Sequence, residues 1–114
     1  MTTGAGDLWN GFVAAGLAEA SDMDRSARAL LSDELTAGAR GHLLAELAHR
    51  AFTIGYQALL LGSEDLGRLA LAAEKVAEGM RTGDVAATAV PILCSGLSTL
   101  QAALAQLAAP DKSG

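Results

Sequence analysis

The stretch LAHRAFTIGYQALLLGSEDLGRLA, Leu47–Ala70, contains two apolar stripes separated by a glycine. Apolar residues recur at steps of three and four, the spacing that puts side chains on one face of an α-helix. With Leu44 just upstream, the inward set is Leu44, Leu47, Ala51, Ile54, Ala58 and Leu61. Gly62 is well placed to end this helix, and Ser63 to cap the next one, whose first turn is acidic. The stretch therefore predicts two consecutive helices joined by a tight turn.

The remainder of the 114 residues predicts two further helices with the same amphipathic spacing. Pro91 belongs in the first turn of the last helix, where a proline costs little, so Asp84–Ala89 is expected to be a connector. The expected helices run from Asp7 to about Leu35, from about Arg40 to Leu61, from the Ser63 cap to the break at Thr82–Asp84, and from Val90 to Ala108. Leu31 in the first helix and Leu107 in the last belong to the apolar faces expected to point inward.

Short turns between four such helices predict an all-α fold, an antiparallel four-helix bundle with up-down-up-down topology. The chain is long enough for one hydrophobic core and too short for two. We therefore expect a single domain spanning residues 7–108, with loose tails at residues 1–6 and 109–114.

Composition narrows the classes of function. The net charge is -5 and the charges are mixed along the chain, so no basic cluster indicates a nucleic-acid or anionic-membrane partner. No apolar run is expected to reach the roughly 20 residues of a membrane span. The first residues lack the basic start and apolar core of a signal peptide. The single cysteine, Cys94, cannot form an intrachain disulfide, which favours a cytoplasmic protein.

The segment AFTIGY, Ala51–Tyr56, carries a family resemblance. Together with the helix layout it resembles a histidine phosphotransfer domain, most closely the N-terminal domain of chemotaxis histidine kinases. The family motif is Ala-His-Thr-(Leu/Ile)-Lys-Gly, which Ala51, Thr53 and Ile54 match. Gly62 stands ten residues after Phe52, where the family has its helix-ending glycine.

Two later segments extend the likeness. EDLGRLA at Glu64–Ala70 is similar to the start of the family's third helix, and VPILCSGLSTLQAAL at Val90–Leu104 is similar to its fourth. The resemblance implies a bacterial two-component or phosphorelay signalling protein whose partner is a receiver or histidine-kinase-related domain.

The departures from the motif decide the expected chemistry. Phe52 stands at the position of the phosphorylated histidine, Gly55 at that of the assisting lysine, and Tyr56 at that of a small glycine. A benzyl ring has no lone pair to attack a phosphoryl group, and glycine cannot balance phosphoryl charge. The sequence therefore predicts a pseudo-phosphotransfer domain that is not an enzyme and works as an interaction module.

The candidate partner-binding residues are His49, Phe52, Gly55 and Tyr56. Phe52 and Tyr56 are four residues apart and share a helix face, to which His49 also belongs. The two rings either pack onto the first helix, where Ala14–Gly16 offers small residues, or stay exposed as an apolar docking patch. An exposed patch would suit a receiver domain, a kinase-related domain or a second copy of the chain.

Two alternatives remain open. His49 could be the phosphoacceptor of a working phosphotransfer protein, although the spacing to Gly62 would then be thirteen residues. The bundle could instead be a ligand-binding or oligomerisation domain unrelated to signalling.

Other site chemistry is not expected from the sequence. His42 and His49 lie nearly two helical turns apart, about 10 Å, and zinc needs three or four ligands at close quarters. The glycines fit no phosphate-binding loop, because no strand precedes them. Ser95 and Cys94 have no neighbouring His and Asp with which to form a triad. We therefore expect neither a metal nor a cofactor.

Overall fold

The computed structural model describes residues 4–108, which form four α-helices and no strand. The elements are α1 Gly4–Ala29, α2 Ala37–Leu60, α3 Glu64–Thr82, a single 3-10 turn Ala87–Ala89, and α4 Val90–Ala108. Each helix packs on its neighbour in the chain, and α1 also packs on α4. The predicted all-α four-helix bundle is confirmed.

The first helix differs from its predicted bounds at both ends. It begins at Gly4, so residues 4–6 belong to α1, while residues 1–3 and 109–114 lie outside the described residues. It ends at Ala29, and hydrogen bonds between residues three apart follow, the first joining Leu30 N–H to Ala27 O at 3.0 Å. Leu31, predicted to face inward, is 59% exposed.

Arg40 stabilises the turn that follows α1. Its guanidinium donates to the carbonyl of Leu30 at 2.9 Å and to that of Ser32 at 3.2 Å. Both carbonyls lie just after Ala29, the last residue of α1, and carbonyls at a helix end need partners from outside the helix. The predicted continuation to Leu35 is therefore wrong, although Leu35 still packs against the core.

The second helix begins three residues before the predicted Arg40. Thr36 is its N-cap, and its hydroxyl accepts a hydrogen bond from Ala39 N–H at 3.0 Å. This satisfies one of the free amides of the first turn. Gly38, predicted to lie in the preceding turn, is consequently part of α2.

The turn between α2 and α3 agrees with its prediction. Gly62 has a φ of 90°, and Ser63 N–H donates to Ala58 O at 2.8 Å. That bond satisfies a carbonyl at the end of α2, as in glycine-ended helices generally. Ser63 occupies the N-cap position of α3, but its side chain accepts no capping hydrogen bond.

The core lies along the bundle axis and is built mainly from leucine and alanine. The largest side chains that are almost completely buried are Met23, Leu30, Leu47, Leu93, Leu97, Leu100 and Leu104. Leu61 and Leu107, both predicted to face inward, are exposed by 36% and 48%. Both lie at the end of the bundle where α2 and α4 finish, beyond the last layer of the core.

α2 and α3 approach each other at two glycines. A Cβ atom added to Gly55 would lie 2.8 Å from Leu71 Cγ, and one added to Gly67 would lie 2.6 Å from Leu59 Cδ2. Carbon atoms make their best contacts at about 3.5–4.0 Å, so any larger residue would push the helices or these leucines apart. The two glycines therefore allow the close contact between α2 and α3.

The fourth helix contradicts the prediction that no apolar run is long enough to span a membrane. The segment Ala87–Ala108 is long and apolar enough to cross a membrane by length and composition. The core helix of a soluble bundle meets the same criteria. Here 28% of the apolar window is buried inside the bundle, and Leu93, Leu97 and Leu100 are among the buried residues.

We predict opposite effects for two glycine-to-alanine substitutions within helices. Gly55→Ala should lower the free energy of unfolding, because overpacking costs about 1–3 kcal/mol whereas the gain in helix propensity is about 0.5–1 kcal/mol. Gly11→Ala, where an added Cβ would meet nothing within 4 Å, should show only the gain. Urea denaturation measures both changes, and a Gly55→Ala variant more stable than Gly11→Ala would contradict the close contact.

Candidate functional site

Phe52 and Tyr56 lie on the outer face of α2. Their side chains are 50% and 55% exposed, and their ring centroids are 6.1 Å apart with ring planes inclined by 13°. The two rings are therefore stacked on each other at the surface. Of the two arrangements considered for them, packing on Ala14–Gly16 of α1 is not the one adopted.

The exposure follows from the helical repeat of α2. Ala51, Ile54 and Ala58 are buried in the core, and the 3.6-residue period then turns positions 52 and 56 outward. Stacking covers part of each ring, an interaction worth about 0.5–1.5 kcal/mol. Burying a phenylalanine side chain fully contributes about 1.5–3 kcal/mol. A protein that covered this pair would gain apolar burial that the isolated bundle does not make.

The four candidate residues do not all share this face. His49 is exposed beside the aromatic pair, whereas Gly55 is buried against Leu71 of α3. Gly55 therefore contributes no surface to a partner. Its contact holds α2 in the rotation that keeps Phe52 and Tyr56 outside.

Arg50 forms the main polar link between α1 and α2. Its guanidinium donates to Glu19 and, at 2.8 Å, to Asp22 Oδ2, while its own side chain is only 20% exposed. The hydrogen bond from Arg50 lowers the pKa of Asp22 below its ordinary value. The pKa of Arg50 is raised, chiefly by its hydrogen bond to Glu19, so the guanidinium stays charged.

Sequence reasoning missed this cluster, which we name the Arg50 triad: Arg50, Glu19 and Asp22. The sequence did carry one signal for it. Glu19 and Asp22 are three residues apart on α1 and therefore share a helix face, and Arg50 on α2 is a basic residue that could pair with them. Because two carboxylates already neutralise Arg50, it offers no spare positive charge to a phosphoryl group on His49. The hydroxyl of the adjacent Thr53 is likewise occupied, donating to His49 O at 3.0 Å.

A groove runs along the seam between α1 and α2. Its apolar end, with a volume of about 440 Å³, is lined by Asp7, Leu8, Gly11, Phe12, Ala15, Gln57, Leu60 and Leu61. A polar section of about 340 Å³ continues from Ala15 and Gln57 toward Glu19, His49 and the Arg50 triad. Leu8 and Leu60 are 65% and 69% exposed at the apolar end. Exposed apolar surface therefore extends beyond the aromatic pair to the end of the bundle.

Titratable groups elsewhere do not form a metal centre within residues 4–108. No group of three or more His, Cys, Asp or Glu side chains in that part of the chain could hold a metal ion. Cys94 is buried in α4, and burial raises the pKa of its thiol. A raised thiol pKa leaves little thiolate at neutral pH, which disfavours nucleophilic chemistry there.

Comparison of the chain with protein-family models, curated proteins and solved structures found no match. The likeness to phosphotransfer domains therefore rests on the Ala51–Ala70 motif and on the helix layout.

We predict that Arg50→Met lowers the urea midpoint of unfolding at pH 7, and that this deficit shrinks in acid. A carboxylate whose pKa is depressed on folding adds stability above its unfolded pKa of about 3.9, and loses it as pH falls through the lower folded value. Asp22 is such a group. The difference between wild type and variant should therefore begin to shrink below about pH 4 and vanish only below the depressed pKa of Asp22.

The matched control is Arg68→Met, since Arg68 makes only an exposed pair with Glu64 at 3.5 Å within α3. Exposed pairs contribute little to stability, so this change should have a small effect at both pH values. An Arg50→Met deficit that stayed constant from pH 7 to pH 2.5 would exclude a role for the ionised Asp22.

Proposed function

We propose that this bundle is a phosphotransfer-like interaction module of a bacterial two-component or phosphorelay system. It binds a receiver or histidine-kinase-related domain through the exposed face of α2 and carries no phosphate itself. The observation that carries the proposal is Phe52, a half-exposed ring at the position that the family motif reserves for the phosphohistidine.

The chemistry of this face supports a non-catalytic role. A nucleophile with a lone pair is needed to accept a phosphoryl group, and neither Phe52 nor the buried Gly55 supplies one. A positively charged group must then stabilise the transferred phosphoryl oxygens. The guanidinium within the motif stretch of α2 is that of Arg50, which two carboxylates already neutralise.

The apolar character of the face supports protein binding. Aromatic residues are enriched at interface hot spots, and contiguous exposed apolar patches mark interaction sites. The stacked rings of Phe52 and Tyr56 form such a patch with Leu59, which is 43% exposed. Because the rings are already stacked, their side chains lose little conformational entropy when a partner covers them.

The rival phosphoacceptor, His49, receives support from its exposure midway along α2. Arg50, the cation next to His49 in the chain, is held by Glu19 and Asp22, which is why we prefer the non-catalytic hypothesis. The proposed compartment is the cytoplasm, where a lone buried thiol such as Cys94 remains reduced.

The first test is phosphorylation of the purified protein by histidine kinases and by a small-molecule phosphodonor. We expect no acid-labile phosphate on the intact chain, because the usual position holds no imidazole. Intact mass before and after acid treatment measures the modification. Acid-labile phosphate on wild type that disappears in His49→Ala would replace the proposal with the working phosphotransfer alternative.

The second test is a titration against a panel of receiver and kinase-related domains. For a domain that binds, Phe52→Ala and Tyr56→Ala should each weaken binding by about tenfold or more, equivalent to about 1.4 kcal/mol.

The matched control is Ile92→Ala on α4, an equally apolar surface position that is 65% exposed. It should bind like wild type. Equal losses in all three variants, or no binding to any member of the panel, would contradict docking through the α2 face.

A further inference from the structure

The groove between α1 and α2 is a second surface that the proposed function does not use. It is the seam at which adjacent helices of the bundle contact each other least. Small residues on α1, Gly11 and Ala15, leave it open, and an added Cβ at Gly11 would meet nothing within 4 Å. The space is therefore wide enough to receive side chains from outside.

The dimensions of the groove suit a helix. Along α1 the lining runs from Asp7 to Glu19, thirteen residues that span about 18 Å, or a little over three helical turns. Peptide helices bind such grooves by laying one apolar face against them, with anchors at three- and four-residue spacing. Leu8 and Leu60 are exposed and supply the apolar wall that such anchors would contact, while Phe12 also lines the groove but is largely buried in the core.

The charges at this end of the bundle favour a partner of one charge over the other. Asp7 lines the groove and has no ion-pair partner among residues 4–108. Glu64 and Asp65 begin α3 at the same end, where Arg68 is the nearby counter-charge. A surface with excess negative charge favours a basic partner and disfavours an acidic one.

Two other occupants fit less well. A second copy of this chain would bring a net charge of -5 and the same carboxylates to the groove. The chain's own segment 109–114, APDKSG, has no large apolar residue with which to cover Leu8 or Leu60.

We propose that the α1/α2 groove binds an amphipathic helix of a partner protein, with its apolar face on Leu8, Phe12 and Leu60 and a basic residue at Asp7. The lining of this groove includes neither Phe52 nor Tyr56, although exposed apolar surface continues between the two sites. It does not depend on any relationship to phosphotransfer domains.

The test uses a fluorescent helical peptide of roughly 15 residues, with leucines on one face and lysines on the other, and a counterpart with glutamates in place of the lysines. Fluorescence anisotropy against the full chain should show binding of the lysine peptide, at least about tenfold tighter than that of the glutamate peptide.

Gly11→Leu is the blocking variant and Gly96→Leu its matched control. Both glycines are in helices, and an added Cβ at either meets nothing within 4 Å. Leucine is the better helix former, so both variants should fold at least as well as wild type, as thermal unfolding checks. Gly11→Leu should weaken the lysine peptide at least about tenfold, and Gly96→Leu less than about twofold.

Two further variants separate the contributions. Asp7→Asn should weaken the lysine peptide several-fold and reduce the salt dependence of its binding. Phe52→Ala should leave the affinity for the lysine peptide unchanged. The peptide experiment and the receiver-domain experiment therefore test the two proposals independently.

The proposal is overturned if the lysine peptide does not bind, if the glutamate peptide binds equally well, or if Gly11→Leu and Gly96→Leu behave alike. Analytical ultracentrifugation supplies the remaining outcome. A wild-type dimer that Gly11→Leu converts to monomer would assign the groove to a second copy of the chain instead.

Discussion

The close contact between α2 and α3 at Gly55 and Gly67 is the constraint on which the surface of this protein depends. Because neither residue has a side chain, the two helices meet at a distance that fixes the rotation of α2 about its own axis. A rotation of one residue position, about 100°, would carry the aromatic pair from water into a helix interface. The contact between α2 and α3 therefore determines which face of α2 is exposed.

In this rotation the two flanks of α2 contact their neighbouring helices in different ways. One flank meets α3 through glycine and leucine, with no charge involved. The other meets α1 through the Arg50 triad, which joins the helices electrostatically where apolar packing is sparse. An ionic link can hold two helices together without filling the space between them, which is why a groove persists along that seam.

The sequence correctly predicted features that depend on residues close together in the chain. The apolar period of α2 from Leu44 to Ala58 and the glycine at position 62 depend on neighbouring residues, and both were predicted correctly, whereas Leu61 at the helix end is exposed. The end of α1 was not predicted correctly, because the spacing continues through Leu31 while the residue that stabilises the turn after the helix, Arg40, is nine positions further on. The triad was missed for the same reason, since its members are about 30 residues apart in the chain. Whether Phe52 would stack on Tyr56 or on α1 depended on packing that periodicity does not encode.

The positions of Arg40 and the Arg50 triad have a mechanical consequence. Arg40 ties α2 to the turn that follows α1, and the Arg50 triad ties the two helices again near their middle. Two rods fastened at one end and at mid-length splay most at the free end. The tie nearest the Asp7 end is the guanidinium of Arg50, so any separation of α1 from α2 there would turn about that group and widen the end where the apolar lining is concentrated.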